Sequence, residues 1–357
     1  MQKLNIAIIV PSLINRGPVI VVKDIVEQIA DKADRVVIFY LDNIPAELSF
    51  NCEVQKLSLA RASKQLKGFN IIHAHMLRPN ILVALLALKH AKKIATLHNY
   101  IYNDVANTHN KIIAKATEGI WTSCLKRYNK IVCLTQHMKQ YYQSLGLKES
   151  KLNVIYNGRP EYTQDKIEAP NPVDIQRLND FKSKFFVLGV SAMLSPRKGI
   201  DQLIKALTQI PEVGLLIVGD GPEKANLVAL AENLKVAGQC IFLGYKQKAY
   251  RYFKYFDAFG MPSHSEGFPL AFIEATSFSL PVLVSDLPIF REIVHEGEAI
   301  FAELNNNESM INSIMQLKAN KAVLSEKSRL AFKKRFDAVI MGDNYLAIYN
   351  DVLNNKK

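Results

Sequence analysis

The chain has 357 residues, of which 49% are apolar and 22% charged. That excludes a disordered chain and suits two domains of ~100–200 residues better than one core. Its formal charge is +12, which points to nucleic acid, an anionic membrane surface or a phosphorylated ligand. Residues 1–160 hold 22 Lys and Arg against 10 Asp and Glu, whereas residues 161–357 hold 23 of each. The whole excess therefore sits in the first half. This disfavours a uniform nucleic-acid coat and predicts a basic domain beside a neutral one.

In chain order, the apolar run Leu4–Val10 ends at Pro11 and is too short for a signal peptide, so it is expected to be a first buried strand. Further strands are expected at Arg35–Tyr40, Ile71–Ala74, Lys93–Leu97, Lys130–Cys133 and Asn153–Ile155. In the second half they are expected at Phe185–Val190, Gly214–Val218, Ile241–Leu243, Ala258–Met261 and Pro281–Val284. Between them lie the helix-length segments Val19–Ala30, Asn80–His90, Asp201–Gln209, Glu223–Lys235 and Leu270–Ser277. Lys318–Leu353 is helical in pattern, anchored by Phe332, Phe336, Ile340, Tyr345 and Tyr349.

Strand–helix alternation with β-branched, uninterrupted strands predicts an α/β chain with parallel sheets covered on both faces. The pattern restarts after Glu161–Lys184, which is rich in Asn, Asp, Pro and Lys and reads as linker plus a short helix. The expected division is therefore 1–162, a linker 163–184, a second domain 185–335, and a segment 336–357 that crosses back to the first. Two doubly wound domains would face a central cleft, where such sheets bind ligands.

The longest uninterrupted apolar run, Ile81–Leu88, falls far short of the ~18 residues of a membrane span. Cys52, Cys124, Cys133 and Cys240 form no CxxC pair, and four unpaired thiols fit a reducing cytosol.

Chemistry concentrates after strand ends. In Pro262-Ser-His-Ser-Glu266-Gly-Phe-Pro-Leu270, a strand gives way to a Gly/Pro turn and then a helix whose free N–H groups can hold an anion. Glu266 lies in the turn and Glu274 one helical turn inside, each able to meet a ligand hydroxyl. The plain alternative is a loop with a solvated helix glutamate. Arg197-Lys198-Gly199 follows another strand end and suits a diphosphate, although alone it also reads as a solvated basic turn. Val218-Gly-Asp-Gly-Pro222 lacks the third glycine and the acidic ribose residue of a dinucleotide fingerprint.

In the first half, Gly17 opens a helix and can bring backbone N–H groups to a phosphate, or simply make a βα turn. His73, His75 and His98 end two strands. No carboxylate or further ligand lies near them in sequence, so a metal is not expected. Asn110–Tyr128 shows Ile112, Ile113, Ala116, Ile120, Trp121 and Leu125 at helical spacing among Lys111, Lys115, Lys126 and Arg127. It reads either as a helix on an anionic membrane or as one packed on its own sheet with a basic edge.

Together these segments resemble the retaining glycosyltransferases of family 4, which have the GT-B fold. The resemblance is carried by Glu266-x7-Glu274 in its Pro-Ser-x-x-Glu-Gly-Phe context, Lys198-Gly199, Val218–Pro222, Phe242-Leu-Gly244-Tyr245, Asn157-Gly158 and Ile-His-Ala-His75. It implies two Rossmann-like domains, no cofactor, and a nucleotide-sugar donor as substrate, a UDP-sugar ahead of a GDP-sugar.

Residue by residue, the resemblance implies that Lys198 binds the donor diphosphate and that Glu274 holds the ribose. Glu266 and the backbone of Gly267, Phe268, Pro269 and Leu270 would contact sugar and phosphate. Gly17 would approach the phosphate, His98 the transferred sugar, and the segment at Tyr245 the base. Glu266 and His98 would thus serve catalysis. The family usually carries an arginine five or six residues before the lysine. Here those positions are Met193 and Ala192, with Arg197 as the available substitute.

No DxD motif is present, and the resemblance implies metal-independent transfer to a glycan or lipid-linked acceptor engaged by the first domain. The unpaired thiols and the charge confined to the basic first domain predict a cytoplasmic protein, peripheral on the inner face of the cytoplasmic membrane, with no nucleic-acid partner. The alternative is a catalytically weakened nucleotide-sugar-binding subunit of a glycosylation complex. The Ser-Glu-Gly-Phe context argues against an epimerase or a phosphorylase.

Overall fold

A computed structural model describes residues 3–106, 109–162 and 167–354. Residues 163–166 of the expected linker and 355–357 of the last segment lie outside the described residues. The chain forms two units. The first runs to Arg159 and resumes at Asp337; the second is Pro160–Phe336.

The first unit is built on seven parallel strands: β1 (Asn5–Val10), β2 (Arg35–Tyr40), β3 (Glu53–Lys56), β4 (Ile71–His75), β5 (Lys92–Leu97), β6 (Lys130–Cys133) and β7 (Leu152–Val154). Their order is β3-β2-β1-β4-β5-β6-β7, so the direction of winding reverses between β1 and β4. Ile6 pairs with Val36 on one side and Ile71 on the other. β1 and β4 are buried along almost their whole length, as central parallel strands require.

The second unit has six parallel strands: β8 (Phe186–Ser191), β9 (Val213–Val218), β10 (Cys240–Phe242), β11 (Ala258–Met261), β12 (Val282–Ser285) and β13 (Ile300–Ala302). Their order is β10-β9-β8-β11-β12-β13, with the reversal between β8 and β11. Leu188, Leu203, Leu215, Ile217 and Leu283 lie in its core.

β3 and β13 are not apparent from the sequence. β3 is an edge strand with mostly exposed polar side chains, which blunts the edge but erases the apolar signal. The helix expected over Asn80–His90 runs instead over Leu77–Leu85. Pro79 sits in its first turn, where proline costs no hydrogen bond. Beyond its end, Leu86 O accepts from Lys93 Nζ at 2.6 Å and Leu66 O bonds His90 Nε2 at 3.1 Å.

The segment 163–184 that reads as linker contains the helix Pro172–Lys184, whose Leu178 and Phe181 are buried in the second unit. The single helical stretch expected over Lys318–Leu353 is three pieces: the end of Asn307–Ala319, Lys321–Ala331, and Ala338–Asn354. A π-helical turn, Phe332–Phe336, and Asp337 separate the last two.

The chain returns to the first unit beside Gly158, where a Cβ would stand 2.8 Å from Asp337 O. Ala338 N donates to Arg159 O at 2.9 Å, and the Arg159 guanidinium pairs with the buried Asp24. Within this unit the terminal helix packs on Gly17–Ile29 and buries Tyr345 and Tyr349. Among the described residues no helix is long and apolar enough to cross a membrane.

Candidate donor-binding site

After β8 the chain turns through Pro196–Lys198 and enters the helix Ile200–Ala206. Gly199 makes this turn possible. Its φ is +59°, and a Cβ there would lie 2.2 Å from Pro262 O. The loop is thereby held directly against the segment leaving β11. His264 N donates to Arg197 O at 2.8 Å, and Arg197 Nη1 donates to Ser265 O at 2.6 Å. Gln202 bridges the same region, donating to Pro262 O at 3.3 Å and accepting from Asn305 N at 2.6 Å.

Two cations converge on one carboxylate. Lys198 Nζ lies 2.6 Å from Glu266 Oε1, and Arg197 Nη1 lies 3.5 Å from Glu266 Oε2. The glutamate side chain is only 7% exposed, whereas Arg197 keeps 42% exposure and can swing. Of the two positions at which the resemblance would expect an arginine, Met193 is exposed to solvent and Ala192 is half-buried. Arg197 therefore supplies the second positive charge at this turn.

The helix Leu270–Ser277 starts four residues beyond Glu266, with Pro269 as its N-cap. Phe272, Ile273, Ala275 and Thr276 are buried, so the half-buried Leu270, Ala271 and Glu274 form its accessible side. Leu270 and Glu274 lie one turn apart on that side. Gly267 remains half-buried in the turn. The Phe268 ring is not open to a ligand; it is buried edge-on to Phe336, 6.5 Å away.

The glycine turn after β9 lies against the β8 loop. A Cβ on Gly219 would come within 1.8 Å of Ala192 O. Gly219 N donates to Gly244 O at 2.9 Å, which sets the exposed Tyr245 beside Asp220. Lys224 and the backbone N–H groups of Gly221 and Tyr245 hold the Asp220 carboxyl below the usual carboxylate range.

Sequence reasoning missed two hydroxyls. Ser195 Oγ and Ser263 Oγ are buried without a hydrogen-bond partner among the described residues. They flank the Arg197–Lys198 turn and the Glu266 turn. Their only sequence signal is position, each next to a proline at a strand's carboxyl end.

Gly17 and His98 belong to the first unit. Gly17 is the first residue of Gly17–Ile29. His98 follows β5, partly open to solvent, with Nε2 at 3.0 Å from His75 Nδ1. His73, buried one pleat away on β4, bonds Tyr349 Oη and Thr96 Oγ1, each at 2.8 Å. Burial pushes His73 down to about 3 and His75 well below its ordinary value, and desolvation lowers the partly exposed His98 in the same direction. All three rings are therefore neutral at neutral pH. Among the described residues no group of three His, Cys, Asp or Glu side chains is arranged to hold a metal.

Each unit is matched by a family model. Residues 16–160 match Glycosyltransferase Family 4 and residues 174–336 match Glycosyl transferases group 1. The chain is 31% identical to the O-antigen biosynthesis glycosyltransferase WclY of Escherichia coli, over 98% of this chain and 99% of that one. It is 26% identical to an E. coli UDP-Gal:alpha-D-GlcNAc-diphosphoundecaprenol alpha-1,3-galactosyltransferase, over 90% and 86% of the two chains. Among solved structures, Anabaena HepE in complex with UDP superposes with a TM-score of 0.81 at 19% identity, covering 98% of this chain and 100% of HepE. Two doubly wound sheets carrying a basic turn against a glutamate turn are the build of a GT-B transferase. The chain belongs to the group 1, family 4 glycosyltransferases.

Proposed function

We propose that the chain transfers a sugar from a nucleotide-sugar donor, a UDP-sugar ahead of a GDP-sugar, to a glycan or lipid-linked acceptor of a bacterial surface polysaccharide. The observation that carries this reading is the convergence of Arg197 and Lys198 on Glu266 at the start of the helix Leu270–Ser277. Breaking an anomeric C–O bond loads negative charge onto the departing diphosphate. Fixed cations and helix N–H groups stabilise that charge most when they are in place beforehand. Lys198, Arg197 and the Leu270 helix start supply both without a metal. A diphosphate entering this turn would exchange with Glu266 for the two cations, leaving the carboxylate to position a sugar hydroxyl. Glu274, on the accessible side of the helix, would take the ribose.

Transfer is expected to retain anomeric configuration through front-face attack, with the departing phosphate taking the acceptor proton. Support for the donor and acceptor classes comes from the relatives' names, which specify O-antigen synthesis, UDP-galactose and a diphosphoundecaprenol-linked acceptor. The second cation at Arg197 favours an active transferase over a binding-only subunit.

The first unit supplies the acceptor surface. On the helix Lys111–Leu125, Ala114, Trp121, Cys124 and Leu125 are buried, while Ile112, Ile113 and Ile120 stand exposed among Lys111, Lys115 and Arg127. The one apolar face read from the sequence is thus two: one packed in the unit, one open and rimmed by cations. The open face suits an anionic membrane at the cytoplasmic side.

The test is a thermal-shift panel of nucleoside diphosphates and nucleotide sugars, followed by product analysis. A rise in melting temperature with UDP, and a product anomer matching the donor's, are expected. No shift with any nucleotide, or an inverted product, would contradict the reading.

A further inference from the structure

A cavity lies wholly inside the first unit. The β1–β4 reversal leaves a crevice outside the carboxyl ends of those strands, the place where open parallel sheets take ligands. A cavity of about 370 Å³ fills it. Its wall combines segments leaving β1, β2 and β4 with the start of the helix Gly17–Ile29.

The chemistry of its lining is specific. Ile14, Ile44 and Met76 give it an apolar side, and Arg16 and Arg78 bring two guanidinium groups to it. Arg78 grips Asp42 in a two-point pair, with Nη1 to Oδ1 at 2.9 Å. That pair holds the Asp42 carboxyl below its ordinary range. Asp42 itself is fixed to the end of β1, its N–H donating to Pro11 O at 2.8 Å. Arg16 is exposed and has no acidic partner among the described residues. The cavity therefore keeps one uncompensated positive charge and a second guanidinium held by a displaceable carboxylate. Guanidinium forks match phosphoryl oxygens. The apolar side matches a hydrocarbon, not a free ion.

We propose that this cavity seats the phosphoryl group and first hydrocarbon units of a lipid-linked acceptor, with Arg16 and Arg78 on the phosphoryl oxygens. The inference rests on the reading that the acceptor is lipid-linked. It assigns to the first unit an anion site built from different residues than the Lys198 turn.

The test titrates the full chain with geranyl diphosphate by calorimetry, in wild type and in Lys198→Ala, which removes the diphosphate cation of the second unit. Binding is expected in both. It should weaken about tenfold or more in Arg16→Gln and in Arg78→Gln, the loss typical of a charge-assisted contact. In the Lys198→Ala chain, where the second unit's own diphosphate cation is gone, inorganic diphosphate should bind much more weakly than geranyl diphosphate. Asp42→Asn preserves shape and removes the competing charge, so it should tighten binding.

Loss of binding in Lys198→Ala or, in that same background, unchanged affinity on adding either arginine substitution, equal binding of inorganic diphosphate, or equal weakening by all three cavity substitutions would overturn the proposal. The UDP-induced rise in melting temperature reports the donor reading separately. A chain that shifts with UDP and ignores geranyl diphosphate loses only this inference. A chain that binds geranyl diphosphate through the arginines and ignores UDP loses only the donor assignment.

Discussion

The ammonium of Lys198 lies 2.6 Å from a carboxylate oxygen of Glu266, joining two strand-end turns that are 68 residues apart in sequence. Each group keeps the other in place until a ligand arrives, and neither turn would present the same charge alone. Lys198→Ala is expected to lower transfer by about 10²–10³-fold, the usual cost of one preorganised donor to a developing anion. Arg197→Ala should cost less, because its guanidinium is more exposed and screened. Release of nucleoside diphosphate per unit time measures both, with thermal melting as the check on folding.

Gly199 offers a purely conformational test. Alanine would be forced to a φ of +59° with its Cβ 2.2 Å from a backbone oxygen. The expected destabilisation is about 1–3 kcal/mol, read as a lower urea midpoint. Donor binding should fall with it, because the clash opens the contact between the two turns. Gly238, where an added Cβ meets nothing within 4 Å, provides the neutral control as Gly238→Ala.

The buried histidines give a signed pH dependence. His73 is pushed down to about 3 in the folded chain, whereas an unfolded histidine titrates near 6.5. Between those values the unfolded state binds more protons, so stability is full above about pH 6.5 and falls as the pH drops toward 3. The neutral, buried His75 acts in the same direction. Urea midpoints measured from pH 7.5 to pH 4.5 should decline, and His73→Gln should flatten the decline while lowering the midpoint at pH 7.5.

The exposed side of Lys111–Leu125 predicts salt-sensitive membrane association. The wild-type chain should sediment with vesicles containing anionic lipid at low salt and release as ionic strength rises. Ile112→Ser with Ile120→Ser should weaken sedimentation without lowering the melting temperature, since both side chains are exposed. Equal sedimentation of wild type and double variant would remove this helix from the account.

The sequence reports most directly what burial enforces. The central strands β1, β4, β8 and β9 read as apolar runs because both their faces are covered. The edge strand β3 does not, because Glu53, Val54 and Lys56 face solvent. Lys198, Glu266 and Glu274 stood out because they follow strand ends inside a family motif, whereas local rules alone fit solvated turns equally well. Their convergence did not, since it depends on contacts between segments far apart in the chain. Arg197 shows the limit clearly: adjacency to Lys198 leaves its direction open, and only the short turn before Gly199 aims both at one carboxylate. The cavity at Arg16 and Arg78 was invisible for the same reason, as its walls come from three strand ends. Phe268 stood in a donor motif, yet its ring is committed to packing against Phe336.

Calorimetric titration of UDP into wild type and Lys198→Ala tests the central claim most directly. The account predicts a single site in the wild-type chain and a loss of at least about tenfold in affinity in the variant, the scale of one charged contact to a phosphate, with the fold intact by melting. Equal affinity in the two proteins, or no UDP binding by the wild type, would contradict it.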